Sequence, residues 1–202
     1  MSHLFVDLCP FFPHSRFRPA ILLTTPAKYG TIHSGHRQEE YYRMRLYHGS
    51  NVAVRSPDLN LSKKLLDFGG GFYLTTDFEQ AWQWARIKTN RAGKGSPIVS
   101  IFEMQEDDLA HLKVTRFNGP DRAWLDCITD HRKGFIERDE EDIIIGPVAN
   151  DQTFQTIGLY FRGVITAEMA LQLLLPQNLK DQYCIKTEKA LACLVFKDVK
   201  RL

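Results

Sequence analysis

Apolar residues along this chain recur in short windows, now at every second position and now at every third or fourth, which predicts brief strands interleaved with brief helices. A strand is predicted over 45–48, followed by a loop through Ser56 and Pro57 and a polar stretch up to Asp67. Gly69, Gly70 and Gly71 then lead into an apolar strand, Phe72–Leu74. Asp77 caps the next helix, Gln80 three residues on completes a capping box, and Gly93 stops it. Strands are predicted over Ile98–Met104 and Leu112–Phe117, and a helix from Pro120 to Gly134 with Ala123, Trp124, Cys127 and Ile128 on its apolar face. "DIIIGPVAND" reads as a buried strand running into a turn at Asn150 and Asp151. "TAEMALQLLLP" reads as a helix capped by Thr166 and stopped before Pro176, and "DQYCIKTEKALACLVF" as strand, short helix and final strand. Such elements without a regular βαβ rhythm make the fold class α+β.

Two regions differ in texture. Residues 1–43 hold four of the nine prolines and no sustained period, which reads as an irregular N-terminal extension. The folded domain is expected over 44–202. Met44 admits two accounts: it is the true start, with an over-called frame upstream, or it follows a flexible arm.

Composition narrows the function classes. With 202 residues, 44% of them hydrophobic and 25% charged, the chain suits one core-bearing domain with an appendage. A net charge of +2 falls short of the basic footprint of a dedicated nucleic-acid binder, although nucleic acid stays open as a substrate. Cys9, Cys127, Cys184 and Cys193 form no CxxC pair, so no metal site and no disulfide framework is signalled, and a reducing, cytoplasmic setting is expected. No apolar run approaches the roughly 18–20 residues of a membrane span. The N-terminus lacks a basic start and is broken by Asp7, Pro10 and Pro13, unlike a signal peptide. An export or delivery route that needs no such signal stays open.

Three features carry chemistry together: the His48-Gly49 pair, the "GGGFYLT" strand, and the strand that opens with Gln182. Each has an ordinary structural account when taken alone. In this order, "YHGS", "DFGGGFYLTTDFEQAWQWA", "DIIIGPVAND" and "DQYCIKTEKALACLVF" resemble the ADP-ribosyltransferase superfamily, in its His-Tyr-Glu branch of diphtheria-type toxins and poly(ADP-ribose) polymerases. More narrowly they resemble a bacterial family of unknown-function domains assigned to that superfamily. The resemblance covers Met44 to Phe196.

The resemblance implies a split β-sheet core with short flanking helices, and NAD as the substrate, held bent across a cleft. It implies that His48 bonds the hydroxyls of the nicotinamide ribose and that the main chain of Gly49 receives the carboxamide. Tyr73 would stack on nicotinamide, a contact worth roughly 0.5–1.5 kcal/mol beyond burial. Trp84 would lie on the other ring face, or else be core. Tyr47, Ser50, Gly71 and Thr75 complete the implied NAD contacts. The implied catalytic set is His48, Tyr73 and Gln182, with no metal.

Gln182 departs from the pattern, standing where the superfamily carries a glutamate. An amide keeps the hydrogen bond to the 2'-hydroxyl but not the charge that opposes the developing oxocarbenium ion, a loss of about 1–2 kcal/mol or roughly tenfold in rate. Among carboxylates able to compensate, Asp142 is preferred over Asp181 and Glu188. Arg132, Lys133, Arg138, Lys63 and Lys64 are candidate pyrophosphate ligands, each more simply a solvated surface charge. The expected activity is mono-ADP-ribosyl transfer to a protein or nucleic-acid acceptor, as a toxin or effector by analogy. The alternatives are a catalytically weak or inactive module that binds NAD or ADP-ribose, and an NAD glycohydrolase. The sequence names neither the acceptor nor the oligomeric state.

Overall fold

The computed structural model describes residues 43–136, 140–149, 151–174 and 179–201. All of them belong to one unit, Glu39–Leu202. Of the extension expected over 1–43, Arg43 instead opens the first strand. Residues 1–42, Arg138, Asn150 and the predicted stop before Pro176 lie outside the described residues.

The chain is α+β, with two sheets and several short helices. The first sheet has the order β1-β3-β7, from Arg43–Ser50, Ile98–Gln105 and Val195–Arg201. β1 and β3 are antiparallel along their whole length, from Arg43 opposite Gln105 to Ser50 opposite Ile98. β7 pairs antiparallel on the other side of β3, with a register shift between Ile101 and Phe102. The second sheet has the order β2-β6-β5-β4, from Phe72–Leu74, Asp181–Ile185, Ile143–Pro147 and Val114–Arg116. Only β4 and β5 run parallel. Helix α2, Arg122–Lys133, lies between them in the chain and makes the one crossover that a parallel pair requires.

The helices form where side chains satisfy their ends. Helix α1, Phe78–Ala92, is capped by Asp77, which accepts from Gln80 N at 2.8 Å, and ends on Gly93 at φ 61°. In α2, Asp121 accepts from Trp124 N at 2.8 Å and Gly134 closes the end at φ 71°. Helix α4, Ala167–Leu174, starts at Thr166, whose Oγ1 accepts from Met169 N at 3.3 Å. Thr187 caps the short α5, Glu188–Leu191.

Helix α3, Asp151–Phe161, stands where the sequence reads only a turn. Its segment carries Thr153, Thr156, Ile157 and Gly158, which are poor helix formers. Tertiary burial of Thr153 and Ile157 stabilises it instead.

The second sheet is covered on both faces. Phe72, Leu74, Ile143, Ile145, Tyr183 and Ile185 point into a core shared with Leu46, Phe102 and Met104 of the first sheet. Ile144 and Cys184, which alternate with them along β5 and β6, point into a second core with Trp124, Leu125 and Ile128 of α2, Ile157 of α3 and Ala170 of α4. The three consecutive isoleucines at 143–145 serve the two cores alternately. Full burial of each contributes about 1.5–3 kcal/mol.

Helix α1 packs on β1 through small residues. A Cβ placed on Gly49 would fall 1.9 Å from Ala81 O and 2.9 Å from Ala85 N, so the helix backbone rests directly on the strand. Ala81 and Ala85 are fully buried there, while Trp82 and Trp84 flank the contact half-buried. Replacement Gly49→Ala is therefore expected to push α1 off β1 and to cost at least about 1–3 kcal/mol, read as a lowered urea midpoint.

Candidate functional site at the parting of two strands

Among the described residues one bridge joins the main chains of the two sheets. Tyr47 N donates to Thr75 O at 2.8 Å and Thr75 N donates to Tyr47 O at 3.0 Å. Both main-chain groups of Tyr47 thus face β2 rather than β3. Main-chain groups alternate sides along an antiparallel strand, so Gly49, two residues on, also turns its N–H and C=O away from its register partner Val99. Continued pairing would set Tyr73 opposite Gly49. The ladder stops instead, and β1 and β2 part. Among the described residues nothing bonds the outward N–H and C=O of Gly49.

His48 fills the start of this parting. Its Nδ1 lies 2.7 Å from Tyr73 O, and its ring stacks on Phe72 with centroids 4.3 Å apart. A carbonyl only accepts, so Nδ1 carries the proton and Nε2 presents a lone pair. Burial above all, and then the charge of Lys88, depresses the His48 pKa from 6.5 to about 3 against the opposing effect of the Tyr73 carbonyl. His48 is neutral at pH 7, 8% exposed, and no described group bonds Nε2.

Tyr73 is held by its hydroxyl. That group donates to Gly69 O at 2.7 Å and accepts from Phe68 N at 3.0 Å, so the ring plane is tied to the glycine turn. Burial raises the phenol pKa well above its usual value, with Cys184 and Asp67 adding to the effect. The turn is secured from other sides as well. Lys186 Nζ donates to Phe68 O and to Gly70 O, and Ser62 Oγ engages both Gly71 N and Gly71 O at 2.8 Å. Gly69 adopts φ +74°, and a Cβ there would lie 2.6 Å from the His131 ring. Among the described residues no aromatic ring stacks on Tyr73, which is half-buried.

Gln182 lies two residues from Tyr73's partner on β6. Tyr73 is opposite Cys184 across β2 and β6, and by the alternation of β6 Gln182 shares the Cys184 face. Its Nε2 donates to Asp67 Oδ2 at 3.1 Å and to Pro147 O at 3.4 Å. Both partners accept only, which fixes the amide orientation: nitrogen toward Asp67, Oε1 away from it. The residue is 2% exposed. Asp67 is itself bound by Arg132, at 3.0 Å from Nε and 2.6 Å from Nη2, and by Ala149 N at 3.3 Å.

His48 and Tyr73 thus touch through the Tyr73 carbonyl, while Tyr73 and Gln182 share one face of the second sheet beside Asp67. The His48 ring goes with Phe72, whose side chain points to the opposite face. Tyr47 packs edge-on against Phe78 at 5.4 Å. The Trp84–Ala85 peptide passes over Gly49, which leaves Trp84 beside the parting. Ser50 is buried at the end of β1. The Thr75 hydroxyl is engaged structurally, donating to Asp181 Oδ1 and accepting from Asp77 N, each at 3.1 Å.

The carboxylate beside Gln182 is Asp67, not Asp142. Asp142 lies at the far end of β5, where it accepts from Thr187 Oγ1 at 2.7 Å and Lys113 N at 2.9 Å, and these contacts hold its pKa down. Asp181 bonds Thr75 and Thr76, and Glu188 is exposed at the start of α5. Arg132 is a structural partner of Asp67, packed 5.0 Å from the Phe154 ring centroid, and Lys133 lies over Phe161. The sequence marks Asp67 only by its place immediately before Phe68 and the three glycines.

A cavity of about 440 Å³ lies elsewhere, between β4 and α2, lined by residues such as Phe117, Cys127, His131 and Glu141. Among the described residues no cluster of three or more His, Cys, Asp and Glu could hold a metal ion. No described helix is long and apolar enough to cross a membrane.

Residues 44–196 match the sequence profile of a family described as "Protein of unknown function (DUF3990)". No curated protein and no solved structure matches the chain.

Two outcomes follow from the geometry. Tyr73→Phe removes two hydrogen bonds and leaves Phe68 N and Gly69 O to find others, an expected loss of about 1–3 kcal/mol in urea unfolding at pH 7. The unfolded chain protonates His48 near pH 6.5 and the folded chain only near 3, so this histidine's contribution is complete above 6.5 and is lost as the pH falls toward 3. Between pH 7 and pH 5 the loss should reach about 2 kcal/mol, and His48→Gln should abolish that slope.

Proposed function

The chain belongs to the DUF3990 family of unknown function, and from that starting point we propose that it is an NAD-dependent mono-ADP-ribosyltransferase built on the split-sheet plan of the His-Tyr-Glu branch. The observation that carries this reading is the outward donor–acceptor pair of Gly49 at the parting of β1 and β2. A primary carboxamide is its complement, because it offers one carbonyl acceptor and one N–H donor side by side.

Each neighbouring group then has a task. The Gly49 N–H donates to the carboxamide oxygen and the Gly49 carbonyl accepts from its nitrogen. Tyr73, with its plane set by the glycine turn, offers a face for the pyridinium ring. Nε2 of neutral His48 accepts from a ribose hydroxyl. Oε1 of Gln182 accepts from the 2'-hydroxyl as positive charge builds on the sugar. The bond from C1' to nicotinamide breaks with its electron pair going to the ring nitrogen. The acceptor's lone pair forms the new bond to C1', and its proton passes to water.

A neutral Gln182 favours transfer of one ADP-ribose unit over chain growth. It also supports a second reading, a module that binds NAD or ADP-ribose without turning it over. Water as acceptor would make the protein a glycohydrolase. A cytoplasmic macromolecule as target, and a role as toxin or effector, extend the same analogy.

Incubation with adenylate-labelled NAD and a whole-cell extract tests all three. Nicotinamide release with label on protein, RNA or DNA is the expected result, lost at least tenfold in His48→Ala. Release without label means hydrolysis. Binding of nicotinamide with neither release nor label leaves the binding module, and absence of binding ends the NAD reading altogether.

A further inference from the structure

We infer that Asp67 is the positioning residue for Gln182, and that the chain carries an amide at 182 because its carboxylate stands at 67. The catalytic half of this inference rests on the NAD-cleaving reading above, and the positional half does not.

Among the described residues Gln182 Nε2 reaches two acceptors, Asp67 Oδ2 at 3.1 Å and Pro147 O at 3.4 Å. Only a donor satisfies them. A glutamate at 182 would set a second carboxylate against Asp67 and the Pro147 carbonyl, where two like charges at hydrogen-bonding distance do not both ionise. The amide nitrogen meets both acceptors and leaves Oε1, turned away from Asp67, as the atom that would accept from the sugar hydroxyl in the reading above. Asp67 does not swing away, because Arg132 grips it at 2.6 Å and the two side chains are only 17% and 14% exposed. Arg132 in turn lies over Phe154. Three elements, the glycine turn, α2 and β6, therefore converge to set one rotamer of Gln182. Breaking one member of such a near-buried charge arrangement leaves another unpaired, which keeps the group together.

The groups that face position 182 are Asp67 from the turn, Arg132 from α2, Tyr73 from β2 and Cys184 on its own strand. In Gln182→Glu the new carboxyl is pushed above its usual value of about 4.3 by Asp67. Its stabilising, protonated form is complete below that value and is lost as the pH rises. The thermal midpoint of Gln182→Glu should thus fall relative to the unsubstituted chain between about pH 4 and pH 8. Adding Asp67→Asn supplies a donor to the introduced carboxylate and should flatten that difference. Where NAD is cleaved, the double variant should also exceed Gln182→Glu in kcat by about tenfold, with KM little changed.

If either substituted chain fails to fold, the unsubstituted chain gives the answer through hydrogen exchange of the Gln182 side-chain amide. Two inequivalent, protected protons are expected, and one averaged, rapidly exchanging signal would overturn the inference. It is equally overturned if Gln182→Glu tracks the unsubstituted chain across the pH range, or if Asp67→Asn leaves the decline in place. None of these readouts uses NAD. A chain that shows the pH-dependent difference and the protected amide, yet releases no nicotinamide, separates the failure of the enzymatic reading from that of Asp67 as the holder of Gln182.

Discussion

The pair of hydrogen bonds between Tyr47 and Thr75 is the constraint on which the candidate site depends. Two short bonds tie the edge of one sheet to the edge of the other, and the pairing then ends. Beyond that point the first sheet follows β3 and the second follows β6, so the strands diverge within one residue of His48. A longer ladder would pair Gly49 with Tyr73 and consume the main-chain groups of both. The His48 imidazole takes the Tyr73 carbonyl and so caps the ladder. Burial of that imidazole keeps it neutral, which the bond to the carbonyl alone would not do.

Rigidity on the β2 side comes from a different source. Phe68, Gly69, Gly70 and Gly71 form a turn whose polar groups are bound by Tyr73, Lys186 and Ser62. Glycine is used here because neighbours crowd in: His131 presses against Gly69 as α1 presses against Gly49. These contacts make the turn a fixed support for the Tyr73 ring. The same side chain is structural through its oxygen and packs its ring against the second core.

Local signals in the sequence carry the helices well. Asp77 and Gly93, and likewise Pro120 and Gly134, act within a few residues of themselves, so the ends of α1 and α2 are legible. The capping box expected at Gln80 is only half formed: Asp77 accepts from Gln80 N, but the Gln80 side chain donates to Asp181 O at 3.0 Å instead of to Asp77 N. The strands are found, with ends moved: β1 runs two residues further at each end than 45–48, and β4 shrinks to Val114–Arg116. Helix α3 is not legible, because its own residues disfavour it and its support comes from cores assembled elsewhere. Gly49 is marked in the sequence as a place needing no side chain. The physical crowding comes from Ala81 and Ala85, which no local pattern reveals. Asp67 shows the same limit more sharply, since its partners Arg132 and Gln182 are 65 and 115 positions away. Asp142 attracts notice by sitting in a family-like string, yet the fold spends its charge on Lys113 N and Thr187.

β6 belongs to both hydrophobic cores at once, with Tyr183 and Ile185 on one side and Cys184 on the other. Gln182 is read in that same two-beat phase. An inserted or deleted residue in β6 would deliver an aromatic to the place of the amide and turn the core inside out in one step. Position 182 can therefore be retuned by exchanging side chains, its own together with that of Asp67, but not by lengthening or shortening the strand that bears it.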